Sequence, residues 1–345
     1  MLTLLLFCLL QPSFAQEGGA PPSADATPAE APPAEAPPVS LEEVWATQPA
    51  TALLDEAITR RAQGDWSGAE RRLDVLERRG EGGATAAYQR AILDELRERY
   101  PEALARYARI QTEFPSAPEA TDARFRAALV SNDMGKPGDA LAAVNALRKE
   151  GHWEGKDALS LDLERGIAEV GLGKTRKGVR HIERALDALQ SGDAARWMQA
   201  RARDALLKVQ LEEADGLSLD NPRKQKKVLL ARRALITDAD QQRAAIVALG
   251  EPEYALDALL RIGDSALLLY RDVIAAPAPR DVAGDPETEA LYRSMVETEA
   301  ERFRAVAFQY YDAGALLAER VAWQGATAEL LRQRRSDLAA EMEGG

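Results

Sequence analysis

From Leu41 to the C-terminus, apolar residues recur three and four positions apart, the spacing that lines one face of a helix. Within this pattern four pairs of small residues share one separation. Ala57 and Ala69, Ala91 and Ala103, Ala128 and Ala140, and Gly166 and Gly178 each stand 12 residues apart, and the second members follow one another by 34, 37 and 38. A larger residue follows each second member four positions on, in Leu73, Tyr107, Val144 and Ile182, with Leu76, Ile110, Leu147 and Ala185 three further. A turn precedes the second helix of each unit: Gly64-Asp65-Trp66, Arg99-Tyr100-Pro101, Gly135-Lys136-Pro137 and Gly173-Lys174-Thr175. Two antiparallel helices joined by a tight turn nest closely only where the crossing residues are Ala or Gly. The pattern therefore predicts stacked helical hairpins with no sheet.

The stretch Tyr100-Pro-Glu-Ala-Leu-Ala-Arg-Tyr-Ala-Arg-Ile-Gln-Thr-Glu-Phe-Pro115 carries these features most completely, and here the sequence resembles the tetratricopeptide repeat family. The resemblance implies an all-α solenoid that recognises a protein or peptide along its concave face. The family places large apolar residues one and four positions before the first small residue, but here those slots read Glu56 and Leu53, Arg90 and Ala87, Ala127 and Arg124, and Arg165 and Asp162. Apolar residues stand instead at Leu54 and Ile58, Tyr88 and Ile92, Phe125 and Leu129, and Leu163 and Ile167, positions that line the concave wall of a standard superhelix. Two readings follow: an apolar ligand groove, or a slipped helix packed on its neighbours.

Repeats of this kind occupy residues 41–190. Beyond them the helical pattern continues through 191–276 as segments Asp193–Asp215, Pro222–Thr237, Asp240–Leu249 and Glu253–Ala276. The Ala/Pro-rich run 277–286 breaks it. A long amphipathic stripe through Leu291, Met295, Phe303, Val306, Tyr310, Leu317 and Val321 and a shorter helix at Gly325–Met342 make a C-terminal helical cap over 287–345. Residues Asp257 to Val321 resemble the closing module of envelope repeat proteins, including ones tied to gliding-motility machinery.

The first 40 residues belong to a different class. Met1 to Leu10 is apolar and Pro12-Ser13-Phe14-Ala15 follows, which reads as a secretory signal peptide (1–15) cleaved after Ala15. No Lys or Arg precedes the apolar run, and Phe7 before Cys8 is too large for a lipoprotein signal. Residues 16–40 hold seven Pro and seven Ala in 25 positions, with four acids and no base, a composition expected to form a disordered tether. Cleavage after Ala15 would remove the chain's one cysteine, which suits an oxidising periplasmic or extracellular compartment.

Charge narrows the partners. With 44 Lys+Arg against 56 Asp+Glu among 345 residues, the net charge is -12, which argues against nucleic acid. Two histidines and one cysteine exclude a zinc site of the Cys/His kind, and no cofactor is expected. Gly171-Leu-Gly173-Lys174-Thr175 lacks the first glycine of a phosphate loop, Ala168 standing there, and reads as an inter-helix turn. Neither His152 nor His181 has a nucleophile at catalytic spacing. One basic island, Arg223, Lys224, Lys226, Lys227, Arg232 and Arg233, is free of acids and suits an anionic lipid, a wall polymer or an acidic partner. The sequence thus points to a non-catalytic envelope scaffold that binds another protein. The alternatives are the helical part of a cell-wall-acting enzyme, or a module binding peptidoglycan or lipid.

Overall fold

The computed structural model describes residues 41–151, 153–189 and 196–344. The signal peptide, the Pro/Ala-rich segment and His152 fall outside the described residues. Those described form helices joined by short turns, with no strand among them.

A short helix α1 (Leu41–Thr47) precedes four hairpins: α2 (Ala50–Ala62) with α3 (Trp66–Arg78), α4 (Gly83–Leu96) with α5 (Tyr100–Glu113), α6 (Pro118–Asp133) with α7 (Pro137–Lys149), and α8 (Gly155–Gly171) with α9 (Thr175–Ala188). Longer helices follow: α10 (Arg196–Asp215), α11 (Gln225–Leu249), α12 (Pro252–Ala275), α13 (Pro286–Arg320) and α14 (Ala326–Gly344). The residues expected as two helices around Asp238 form one, α11. No Gly or Pro interrupts that stretch, and Ala239 faces the core with no exposed surface.

The small-residue pairs sit where the hairpin helices cross, and Ala57, Ala69, Ala91, Ala103, Ala128 and Ala140 are all buried. The fourth crossing is the tightest. A Cβ on Gly178 would lie 2.5 Å from the Gly166 carbonyl oxygen, so two glycines are needed for the backbones to approach. Gly64, Gly135 and Gly173 occupy the left-handed region two residues past the first helix of their units, with φ of 80°, 68° and 74°. In the second unit Glu98 takes that place at φ 59°.

The first helices of successive hairpins touch one another from α2 through α12, whereas each second helix packs on its own partner and the next first helix. The row of first helices is therefore the inner side of a curved stack. Apolar cores run between the hairpins: Leu53, Trp66, Leu73 and Leu76 in the first unit, Tyr107, Ile110, Leu129 and Val130 between the second and third, and Leu163, Ile182 and Met198 further on. The stack curls far enough to bring its end back to its beginning. Trp323, in the turn after α13, meets Trp66 edge-on with ring centroids 4.6 Å apart.

Candidate functional site

The inner row carries charge rather than a continuous apolar groove. On α4 and α6, Arg126 donates from Nη1 to Glu95 Oε1 (2.9 Å) and from Nε to the Tyr88 hydroxyl (3.2 Å), while Tyr107 on α5 donates to Glu95 Oε2 (2.6 Å). Further along, Arg201 of α10 grips the Glu164 carboxylate of α8 through Nε and Nη2, reaches Asp133 of α6 at 2.9 Å, and donates to the Leu129 carbonyl. Arg201 is 4% exposed and Glu164 is fully buried, with Asn132 completing the carboxylate's contacts. Such a buried, hydrogen-bonded pair fixes the register of three helices.

Around these pairs stand carboxyls with less compensation. Burial raises Asp133 to about 6, with Glu164 adding to the rise and Arg201 opposing it, although 23% of its side chain still meets water. Burial raises Asp204 on α10 to about 7, reinforced by Asp257 of α12. Glu253, in the first turn of α12, is pushed up to about 8 by burial and then by the charges of Asp133 and Glu95. Among the described residues Glu253 has no hydrogen bond or ion pair. The groups that act on it, on α4, α6 and α10, put the start of α12, the last helix of the inner row, beside theirs. The carboxyls of Glu95, Asp133, Glu164, Asp204, Glu253 and Asp257 share this interior with the guanidiniums of Arg61, Arg126, Arg201 and Arg261. The excess of acid over base attracts cations, and crowding keeps part of it protonated near neutral pH.

The apolar wall positions divide. Ile92 and Leu129, at 5% and 4% exposure, are buried rather than lining a groove; Leu129 lies in the core that the second and third units form around Tyr107 and Val130. Leu54 packs half-buried on the first-unit core, and Ile58 is half-buried. Phe125 is half-buried against Trp153, centroids 6.4 Å apart, and Tyr88 is half-buried with its hydroxyl committed to Arg126.

The basic island divides too. Arg223, Lys224, Lys226 and Lys227 are exposed where α11 begins, and Arg233 is half-buried. Arg232 does not belong to that surface: it is fully buried, bonding Asp272 at 2.6 Å beside Asp215. The helical period turns it inward, and its acidic partners lie on other helices.

His181 is half-buried on α9, its Nε2 3.7 Å from Glu169, and desolvation lowers its pKa. Gly173 is a turn between α8 and α9. Among the described residues no group of three or more His, Cys, Asp or Glu is placed to hold a metal, and no helix is long and apolar enough to cross a membrane.

No protein-family model matches this chain, and no curated protein does. Two solved structures are similar to it in arrangement. One is a TPR repeats protein from Bacteroides fragilis, 9% identical, covering 86% of this chain and 100% of its own with a TM-score of 0.32. The other is a tetratricopeptide repeat protein from Parabacteroides merdae, 13% identical, covering 84% of this chain and 98% of its own with a TM-score of 0.36. Neither is described as a motility protein.

Proposed function

We propose that this protein is an exported, non-catalytic scaffold whose inner wall holds a partner protein or peptide through the partner's basic side chains. The observation that carries this reading is the excess of carboxyls on that wall, with Glu253 making no ion pair or hydrogen bond among the described residues and only the more distant Arg201 and Arg126 opposing its rise. A lysine or arginine entering from a partner would supply the missing charge and lower the carboxyl pKa values together. The curved row of first helices gives such a partner an extended seat. Half-buried Tyr88 and Phe125 add apolar contact beside the acids. The apolar start of the sequence and the segment after it support export to the periplasm or beyond, with cleavage after Ala15 and no lipid.

The test is binding of arginine- and lysine-bearing peptides to the full chain, measured by calorimetry. Basic peptides should bind, acidic controls should not, and affinity should fall steeply with salt. Glu253→Lys should reduce affinity at least about tenfold, the scale of one lost charge contact in a partly desolvated site. Equal binding of basic and acidic peptides would sink the reading. Intact-mass measurement of protein from the cell envelope tests export: the chain should begin at Gln16.

A second reading rests on the exposed bases Arg223, Lys224, Lys226 and Lys227. These bases would hold the protein to anionic lipid or wall polymer while the inner wall stays free. Co-sedimentation with anionic vesicles, lost in a variant with all four changed to Gln, is its expected signature.

A further inference from the structure

The contact that closes the stack is built differently from the cores on either side of it. The turn following α13 lies on the inter-helix turns of the first two units. Trp323 meets Trp66, the Val321 carbonyl faces Gly64, and the Thr327 backbone N–H donates to both oxygens of Glu98 (3.1 and 3.2 Å). The partners in that bond are 229 residues apart in the chain. Glu98 and Ala322, on opposite sides of the contact, are the non-glycine residues with positive φ among the described residues, at 59° and 52°. Left-handed backbone is unfavourable for any residue with a side chain. At the Glu98 position the other three units use glycine, so the second unit accepts strain for a carboxylate that reaches α14. That carboxylate is also short of compensation: burial is the first cause of its raised pKa, and Asp257 and Glu329 add like charge.

The cap itself is anchored elsewhere. Tyr311 is fully buried against α12, where a Cβ on Gly263 would lie 2.5 Å from its ring, and Leu331 and Leu338 of α14 join Leu256 and Leu260 in one core. Trp323 packs on this core as well as on that of the first unit, so the tip stays with the cap when the cap parts from the first two units.

We infer that the paired contacts of Trp323 with Trp66 and of Thr327 with Glu98 are a releasable latch that switches the molecule between a closed ring and an open stack, the open form giving a partner entry to the inner wall between the first two units and α12. The opening stands without the binding reading; the entry it gives a partner rests on that reading. Its trigger point is Gly325, where a Cβ would lie 2.5 Å from Glu98 Oε1 and displace the carboxylate from the Thr327 amide.

The experiment uses the full chain carrying spin labels at two exposed positions, Thr59→Cys on α2 and Gln333→Cys on α14, with Cys8 replaced by Ser. Pulsed electron resonance should give a short separation and a longer second one. Gly325→Ala should multiply the longer population several-fold, with the helical circular dichroism signal and melting temperature kept. Trp323→Ala should do the same, and answers the question alone if Gly325→Ala does not fold. One short separation in every folded variant would overturn the latch. So would loss of helix in step with the longer separation, because the contact would then be ordinary core.

Discussion

At Gly178 the surroundings of a single hydrogen atom decide whether two helices can meet. Besides the Gly166 oxygen, a Cβ there would meet the Val170 backbone nitrogen at 2.7 Å, and neither backbone can swing aside. Gly178→Ala should cost about 1–3 kcal/mol in chemical unfolding, despite the helix propensity alanine adds. An unchanged midpoint would refute the crossing. Size-selected positions of this kind are legible in a sequence, because the crossing admits only two residue types. Charges turned inward are not. Nothing near Arg232 or Arg201 in sequence marks them as buried, since Asp272 and Glu164 lie 40 and 37 residues away. Glu253 supplies a pH signature. Its carboxyl titrates near 8 in the folded chain against an ordinary value of 4.5, so the folded state holds the proton more tightly. The stabilisation is complete below the ordinary value and is lost as pH rises through about 8. Glu253→Gln should therefore match the wild type near pH 4 and exceed it above about pH 8, by on the order of 1 kcal/mol given partial solvent access. Thermal melts across that range measure it, and a constant offset at all pH values would show that Glu253 is not in a crowded acidic site.

Among the helices, the spacing of the small residues made the four hairpins readable, and their order follows from short turns. Helix lengths beyond the repeats were less readable. Asp238 and Asp240 resemble a break, yet α11 runs through them because Asp238 stands exposed and Asp240 accepts from the Tyr310 hydroxyl of α13, neither taking a bond from the backbone ladder. The lateral connection between units was invisible in the sequence. It rests on Arg201, which binds α8 and α6 from α10. Removing that guanidinium leaves Glu164 buried without a counter-charge, so Arg201→Met should cost about 3–5 kcal/mol. Adding Glu164→Leu should restore part of the loss, since two apolar side chains can fill the space of the pair. A double variant no better than the single would show that Glu164 is not the group stranded. The same contact explains why the apolar-wall expectation failed at Leu129: its carbonyl accepts from Arg201 and its side chain packs in the core behind.

For the molecule as a whole, the sequence announces a linear stack and the structure closes it. The one local sign of closure is the missing glycine in the second unit, where Glu98 follows Arg97 and precedes Arg99. Closure has a consequence in time. Each hairpin can fold from contacts within about 40 residues, but the seat that Glu98 offers Thr327 waits for a segment synthesised 229 residues later. The N-terminal units therefore leave the ribosome with the Trp66 edge unclaimed until the segment around Trp323 has emerged. In refolding, helical signal should appear first and the Trp66–Trp323 fluorescence change afterwards, as a separate slower phase absent from Trp323→Ala. A single phase by both probes would mean that the ring assembles all at once. A chain truncated before Trp323 should still acquire its hairpins, with the Trp66 edge left uncovered: the segment around Trp323 marks that the helices between the two tryptophans have been made.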